Sequence, residues 1–298
     1  RRRSPILGSL PVPLMNYQHA YHAGNFADVH KHVMLRALLQ ALQQKPAPIG
    51  LLDTHAGAGG YALDGREATA TGEFAEGIAR LVKTTDAAAP ELIRDWLAAV
   101  LQWPANQSAL RFYPGSPLQA AACLREGDTL QLCEVQDTAV AGLREQLGGN
   151  RQVHIHQRDG YAAMKALLPP PQKRGLVLID PPYEAQEEEY RTLQARLDEA
   201  LARWPGGVYA VWYPIKQSQR LQPFYRWLAG CAAKRVLRSE LRVHPGESPL
   251  RLNGSGLVVL NAPWQLDQSV RSAMHWLGMQ LGASGERAAV TLDWLRQD

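Results

Sequence analysis

The sequence predicts an α/β fold, a Rossmann-like seven-stranded mixed sheet with a helical insertion after the first strand. Three observations predict it. Short runs at 50–53, 129–135, 152–158 and 175–179 read as strands, and the last is apolar enough for a parallel strand buried on both faces. Helical stretches separate the runs, the alternation that a parallel sheet requires. Each run leads into a glycine turn or an acid, and open α/β sheets bind ligands at that carboxyl edge.

The elements follow in order. The chain has 298 residues and 46% hydrophobic content, enough for one large domain or one domain with an insertion. Residues 1–14 contain Arg1, Arg2 and Arg3 but no adequate apolar run, so no signal peptide is expected. They read as an extension or a cloning remnant, with the domain itself over 15–298. Asn25 is placed to N-cap a helix over 26–44, with Asp28 at the third helical position in a capping-box-like pattern. Val29, Val33, Leu35, Leu38, Leu39 and Leu42 give that helix an apolar stripe, and Pro46 and Pro48 end it.

The first strand runs into Gly57-Ala58-Gly59-Gly60, where small residues let the backbone approach a ligand closely. The stretch 57–62 also fits the loose dinucleotide pattern, a weak signal alone. That fingerprint expects an acid about 20 residues further on. Asp64 and Glu67 come too soon, and Glu73 and Glu76 sit in no strand-like run. About 75 residues separate Gly59 from Glu134, where a strand–helix–strand unit needs only about 30. A helical insertion is therefore expected over about 61–112, with helices at 74–84 and 90–102. The usual helix between the first two strands then falls at 116–125, with Ser116 as its N-cap or just before it and Pro117 in the first turn.

The second strand ends at Glu134, the third leads into Asp159-Gly160, and the fourth into Asp180-Pro181-Pro182-Tyr183. Beyond these come a helix over 184–203, a strand over 207–213, a helix over 223–233, strands over 234–243 and 255–261, and a last strand over 287–292.

The residue types at the sheet edge suit one task. The exocyclic amine of adenine is a poor nucleophile, because its lone pair is delocalised into the ring. Two acceptors aimed at its N–H bonds enrich it, and preorganised groups do so without reorganising during the reaction. Asp180 offers a carboxylate oxygen and Pro181 a backbone carbonyl. Tyr183 can stack on the base. The plain alternative is a proline turn with a capping aspartate. Upstream, Glu134 at a strand tip can accept from both ribose hydroxyls of a nucleoside, and Asp159 from an adenine amine. The free N–H groups at 116–118 would favour a carboxylate. The order glycine turn, Glu134, Asp159-Gly160, Asp180-Pro181-Pro182-Tyr183 reads as S-adenosylmethionine followed by an acceptor amine. The expected fold is thus that of the S-adenosylmethionine-dependent methyltransferases.

The chain resembles the bacterial 23S ribosomal RNA adenine-N6 methyltransferases called RlmJ, from about Tyr17 to near the C-terminus. The distinctive blocks are 21–32 (YHAGNFADVHKH), 52–59 (LDTHAGAG), 71–74 (TGEF), 113–117 (YPGSP), 180–183 (DPPY) and 212–214 (WYP). The resemblance implies that His32, His55, Ser116, Glu134, Asp159 and Gly160 contact the cofactor, and that Lys31 lies close to it. It implies that Asp180 is catalytic, with Gly57 and Gly59 in the cofactor turn. Tyr17 matches a family tyrosine that meets the RNA. The implied product is N6-methyladenosine in 23S ribosomal RNA.

Other features limit the alternatives. The net charge is +4, of which Arg1, Arg2 and Arg3 supply three, so overall charge says little about nucleic acid. Locally, Lys216, Arg220, Arg226, Lys234, Arg235, Arg238 and Arg242 stand against Glu240 alone; they either follow a phosphate backbone or form a solvated face. Three cysteines without a Cys-x-x-Cys pair suit the cytoplasm. His154 and His156 share a strand face, but no carboxylate or cysteine set completes a ligand group, so no metal is expected. No run of about 18 apolar residues exists, so no membrane span is expected. The expected protein is a monomer. Competing readings are the same chemistry on DNA adenine or on a protein glutamine amide, a non-catalytic RNA-binding protein of this fold, and a nucleotide-dependent dehydrogenase. The last leaves 180–183 unexplained.

Overall fold

A computed structural model describes residues 18–183 and 186–297. The expectations for residues 1–14 and for Tyr17 lie outside the described residues. The strands are β1 (Gly50–Asp53), β2 (Gly60–Ala62), β3 (Phe112–Pro114), β4 (Thr129–Glu134), β5 (Val153–Gln157), β6 (Gly175–Ile179), β7 (Val208–Ile215), β8 (Arg235–Arg242), β9 (Gly254–Leu260) and β10 (Ala289–Gln297). The α-helices are α1 (Phe26–Gln43), α2 (Arg66–Thr71), α3 (Ile78–Thr84), α4 (Glu91–Leu101), α5 (Ser116–Ala121), α6 (Asp137–Leu147), α7 (Gly160–Leu167), α8 (Gln186–Arg203), α9 (Ser218–Gly230) and α10 (Leu266–Leu281).

The main sheet runs β10-β8-β9-β7-β6-β1-β4-β5. The five strands from β7 to β5 pair in parallel, while β9, β8 and β10 add on antiparallel. The sheet therefore has eight strands rather than seven. The last strand runs to Gln297, beyond the expected end at 292, and pairs with β8 across a bulge between Trp294 and Arg296. Side chains alternate between the sheet's two faces, as the period of 2 requires. Leu51, Leu176 and Leu178 join the core beneath α1 and α10, whereas Leu52, Val177 and Ile179 join the core beneath α8 and α9. Both faces of β1 and β6 are thus buried, which explains their unbroken apolar runs.

Several boundaries differ from expectation, each for a local reason. The expected helix over 74–84 breaks at Gly77, where Ile78 N–H bonds the Gly24 carbonyl and a Cβ would strike that same oxygen. Its first part is a 3-10 turn, Glu73–Glu76. The stretch 61–112 is not wholly helical, because β2 and β3 pair antiparallel at its two ends. The helix after β3 stops at Ala121, with Gly115 as its N-cap and Ser116 as the first helical residue. Helix α9 starts at Ser218, five residues earlier than expected, and carries Pro223 inside it. Helix α10 was not anticipated, although Leu266, Val270, Ala273, Leu277 and Leu281 recur at helical spacing and are buried.

Candidate active site

The four strand tips β1, β4, β5 and β6 converge on a cleft of about 520 Å³. Lys31, His32, His55, Gly57, Ser116, Glu134, Asp159, Gly160 and Asp180 all line it. Their convergence comes from four sources: the glycine turn after β1, the loops after β4, β5 and β6, the first turns of α1, and the start of α5.

The glycine turn and Glu134 form one unit. Gly57 has φ +62°, and its N–H donates to Glu134 Oε2 at 2.9 Å. Val135 and Gln136 N–H donate to Glu134 Oε1 at 2.7 and 2.9 Å. Three backbone donors therefore fix the carboxylate: Oε1 takes two of them and Oε2 one, so Oε2 keeps a lone-pair site for a hydroxyl donor from the cleft. Gly59, at φ +89°, does not line the cleft; its carbonyl accepts from Gly115 N–H at 2.7 Å, so it ties the turn to the start of α5. Asp159 caps α7, accepting from Ala162 N–H at 2.7 Å. A Cβ on Gly160 would strike the Thr54 carbonyl, so that position takes only the smallest residue.

Buried polar groups back this wall. Asp53 is 3% exposed and accepts from Ser116 Oγ at 2.6 Å and His55 N–H at 3.2 Å. Burial pushes its carboxyl up to about 6, against the opposing pull of those two bonds. The Ser116 hydroxyl proton is thus engaged with Asp53 and does not cap the helix. Burial lowers the pKa of His55 and brings that of His32 down to about 3, so both rings are neutral at pH 7. His32 Nδ1 lies 2.7 Å from the Tyr113 hydroxyl, and among the described residues Nε2 has no hydrogen-bond partner. A buried orphan nitrogen in a cleft wall favours a polar group on a bound molecule.

At the other end of the cleft, Asp180 follows β6. Its Oδ2 lies 2.5 Å from Lys31 Nζ, which also lies 3.0 Å from Asp28 Oδ1. Burial alone would lower the Lys31 pKa, but Asp180 and then Asp28 outweigh it and hold the ammonium well above its ordinary value. Among the described residues no hydrogen bond engages Asp180 Oδ1, and the side chain keeps 19% exposure.

Tyr183 departs from expectation. It is 9% exposed, donates to the Trp212 carbonyl at 2.6 Å, and packs its ring on Tyr190 and Trp212 at centroid distances of 5.1 and 5.9 Å. It does not line the cleft; Pro182 does, and Pro181 does not. The reason is competition: the apolar core beneath α8 takes the ring before a base could.

A family model described as ribosomal RNA large subunit methyltransferase D, RlmJ, matches residues 46–296. The chain belongs to the RlmJ family. It is 37% identical over 283 residues to ribosomal RNA large subunit methyltransferase J of Escherichia coli, covering 95% of this chain and 99% of that protein. It is 36% identical over 282 residues to the Haemophilus influenzae protein of the same name, again covering 95% and 99%. A crystal structure of a Legionella pneumophila protein superposes with a TM-score of 0.81 at 32% identity, covering 91% of this chain and 98% of that one. The fold is the Rossmann-like α/β methyltransferase fold.

Sequence reasoning missed several groups of this RlmJ-family cleft. His19, Tyr61, Tyr161 and Glu189 line it, and Asp28 and Asp53 stand behind it. Asp53 had a signal, since it ends the first strand. Asp28 had one too, three residues before Lys31 on a helix. The basic run disperses: Arg238 pairs with Asp293 at 2.7 Å, and Arg242 with the 2% exposed Glu240 at 3.2 Å. Among the described residues no group of His, Cys, Asp and Glu could hold a metal ion, and no helix is long and apolar enough to cross a membrane.

Proposed function

We propose that this chain transfers a methyl group from S-adenosylmethionine to the N6 amine of an adenine in 23S ribosomal RNA, giving N6-methyladenosine. The observation that carries this reading is the Asp180 carboxylate at the cleft edge, anchored through Oδ2 by Lys31 and with Oδ1 unengaged. An anchored carboxylate with one open oxygen suits an N–H donor that must be both oriented and made more electron-rich.

The cleft fits the cofactor. Glu134 would hold the ribose hydroxyls, Asp159 the adenine amine, and His32 Nε2 a polar atom of the methionyl part. The glycines at 57 and 160 let the cleft wall close tightly against Tyr61 and Thr54. When bound, the cofactor supplies an electrophilic methyl group on sulfur. The chain's own residues do the rest. Asp180 Oδ1 accepts a hydrogen bond from one N6 N–H and takes the proton that the methylated amine sheds. Lys31 keeps the carboxylate from turning. Neutral His55 and His32 add no positive charge beside a cationic cofactor. The adenine must be unpaired or flipped out to reach the edge. Tyr17 would meet the RNA, and Tyr183 would anchor the turn after Asp180 through its bond to the Trp212 carbonyl.

The test offers tritiated cofactor to deproteinised 23S RNA lacking the modification, to large subunits and to adenine-unmethylated DNA, then digests the product to nucleosides. Label in N6-methyladenosine from RNA is the expected result. Label in DNA, or in another nucleoside, would refute the reading.

A further inference from the structure

We propose that Asp28 is a positioning residue for methyl transfer: it fixes Lys31, and through Lys31 the orientation of Asp180. The inference rests on the methyl-transfer reading above.

Asp28 does not line the cleft and is 2% exposed. Both of its oxygens are engaged. Oδ1 lies 3.0 Å from Lys31 Nζ. Oδ2 lies 2.9 Å from His19 Nε2 and accepts from Gly24 N–H at 2.9 Å. Lys31 and His19 do line the cleft, and they come from different elements, α1 and the 3-10 turn His19–Tyr21. One buried carboxylate thus sets the place of two cleft-wall side chains. A capping box would have turned Asp28 onto the N-cap N–H; here it reaches one residue further back, to Gly24, and spends its other oxygen on Lys31.

The energetics favour a geometric role. Burying an ion pair costs desolvation that its attraction often only offsets, so such a pair is weak evidence for stability. Lysine carries its charge on a flexible four-carbon stem. A single carboxylate would let Nζ swing about Asp180 Oδ2. A second one, three residues back on the same helix, gives the ammonium a second anchor, so that it holds Asp180 Oδ2 in one place and leaves Oδ1 unengaged among the described residues.

The charges around the pair are few. His19 faces Asp28 from the 3-10 turn, and His32 from the same helix. Asp53 and Asp180 face Lys31 from the ends of β1 and β6. Tyr61 and Tyr113 close the space from β2 and β3, and the His22–Glu73 pair stands further out. Without Asp28, Lys31 keeps Asp180 alone as a contacting carboxylate and holds its proton less firmly.

The test is a double-mutant cycle of Asp28→Asn and Lys31→Gln. Its readouts are single-turnover methyl transfer to 23S RNA over roughly pH 6–10, S-adenosylhomocysteine affinity and thermal melting. Asn keeps the side-chain size and an acceptor for Gly24. Asp28→Asn should lower the rate about 100-fold, the cost of a small misplacement of a reacting group. Cofactor affinity should stay within about threefold, and the variant's rate should fall toward the alkaline end of the range, where that of the unsubstituted protein stays flat. In the Lys31→Gln background the same change should cost no more than about twofold, because the two residues act as a unit. An equal loss in both backgrounds, or an unchanged pH profile, would overturn the proposal and leave Asp28 as a cap for α1. If Asp28→Asn alone melts below the assay temperature, Lys31→Gln against the double variant decides by the same criterion. Nucleoside digestion reports the product separately. A product other than N6-methyladenosine would refute the proposed chemistry, while the rate ratios still report on Asp28.

Discussion

Asp53 is the residue whose environment has the clearest measurable consequence. It is almost fully buried, and burial pushes its carboxyl from 3.8 to about 6. The folded state therefore binds a proton that the unfolded chain has already lost between those values. The contribution of Asp53 is full below about pH 4 and is lost as pH rises through about 6, by about 2–3 kcal/mol at 1.36 per unit. Asp53→Asn keeps acceptors for Ser116 and His55 and removes the titration. Chemical denaturation at pH 4.5 and 7.5 should show the loss in the unsubstituted protein and a markedly smaller one in the variant. Glu134 makes a second prediction at this scale. If Glu134 holds the ribose as proposed, removing its carboxylate should cost about 3 kcal/mol, or roughly 100-fold. Glu134→Ala should weaken S-adenosylhomocysteine binding by that order in calorimetry; unchanged affinity would remove Glu134 from the ribose role. Most cleft residues were legible at this scale because strand-tip acids and glycines announce themselves in sequence. His19 was not, since its partner Asp28 lies on another element; Asp28 showed only as a cap and a neighbour of Lys31, and its tie to His19 is tertiary. Tyr183 misled, because a sequence cannot say whether an aromatic ring faces a ligand or a core.

At the scale of elements, α1 does the most. It carries Asp28, Lys31 and His32 within its first two turns, so its start fixes three groups at once. Asn25 sets that start. Its Oδ1 accepts from Ala27 and Asp28 N–H, both at 3.0 Å, and its Nδ2 donates to Glu73 at 2.9 Å. Asn25→Ala should cost about 1–2 kcal/mol, seen as a lowered melting temperature, and should slow methyl transfer more than it weakens cofactor binding. A loss confined to binding would contradict this. The cap, the stripe and the proline end of α1 were all readable from local sequence. Other elements were hidden by tertiary effects. Gly77 breaks a helical pattern because the chain must approach Gly24 closely. β2 and β3 are three residues each, and they exist only because the ends of a long excursion meet. Neither fact is local.

For the whole molecule, position explains function. β1 sits in the middle of the parallel strands, between β6 and β4. Its glycine turn therefore stands between Glu134 on one side and Asp180 on the other, and the cofactor wall and the acceptor edge become neighbours. The four runs and their order made this arrangement legible, since parallel strands all end at one edge. The length of β10 depended on its pairing with β8, far away in sequence, whereas α10 carried a local helical signal that went unread. The account separates two tasks: Glu134, Asp159 and the glycine turn bind the cofactor, and Asp180 held by Lys31 activates the acceptor. One measurement tests that separation most directly: the single-turnover methyl-transfer rate and S-adenosylhomocysteine affinity of Asp180→Asn, taken side by side. The account predicts a rate lower by about 100–1,000-fold with affinity changed by less than about threefold. A normal rate, or a loss of affinity as large as the loss of rate, would contradict it.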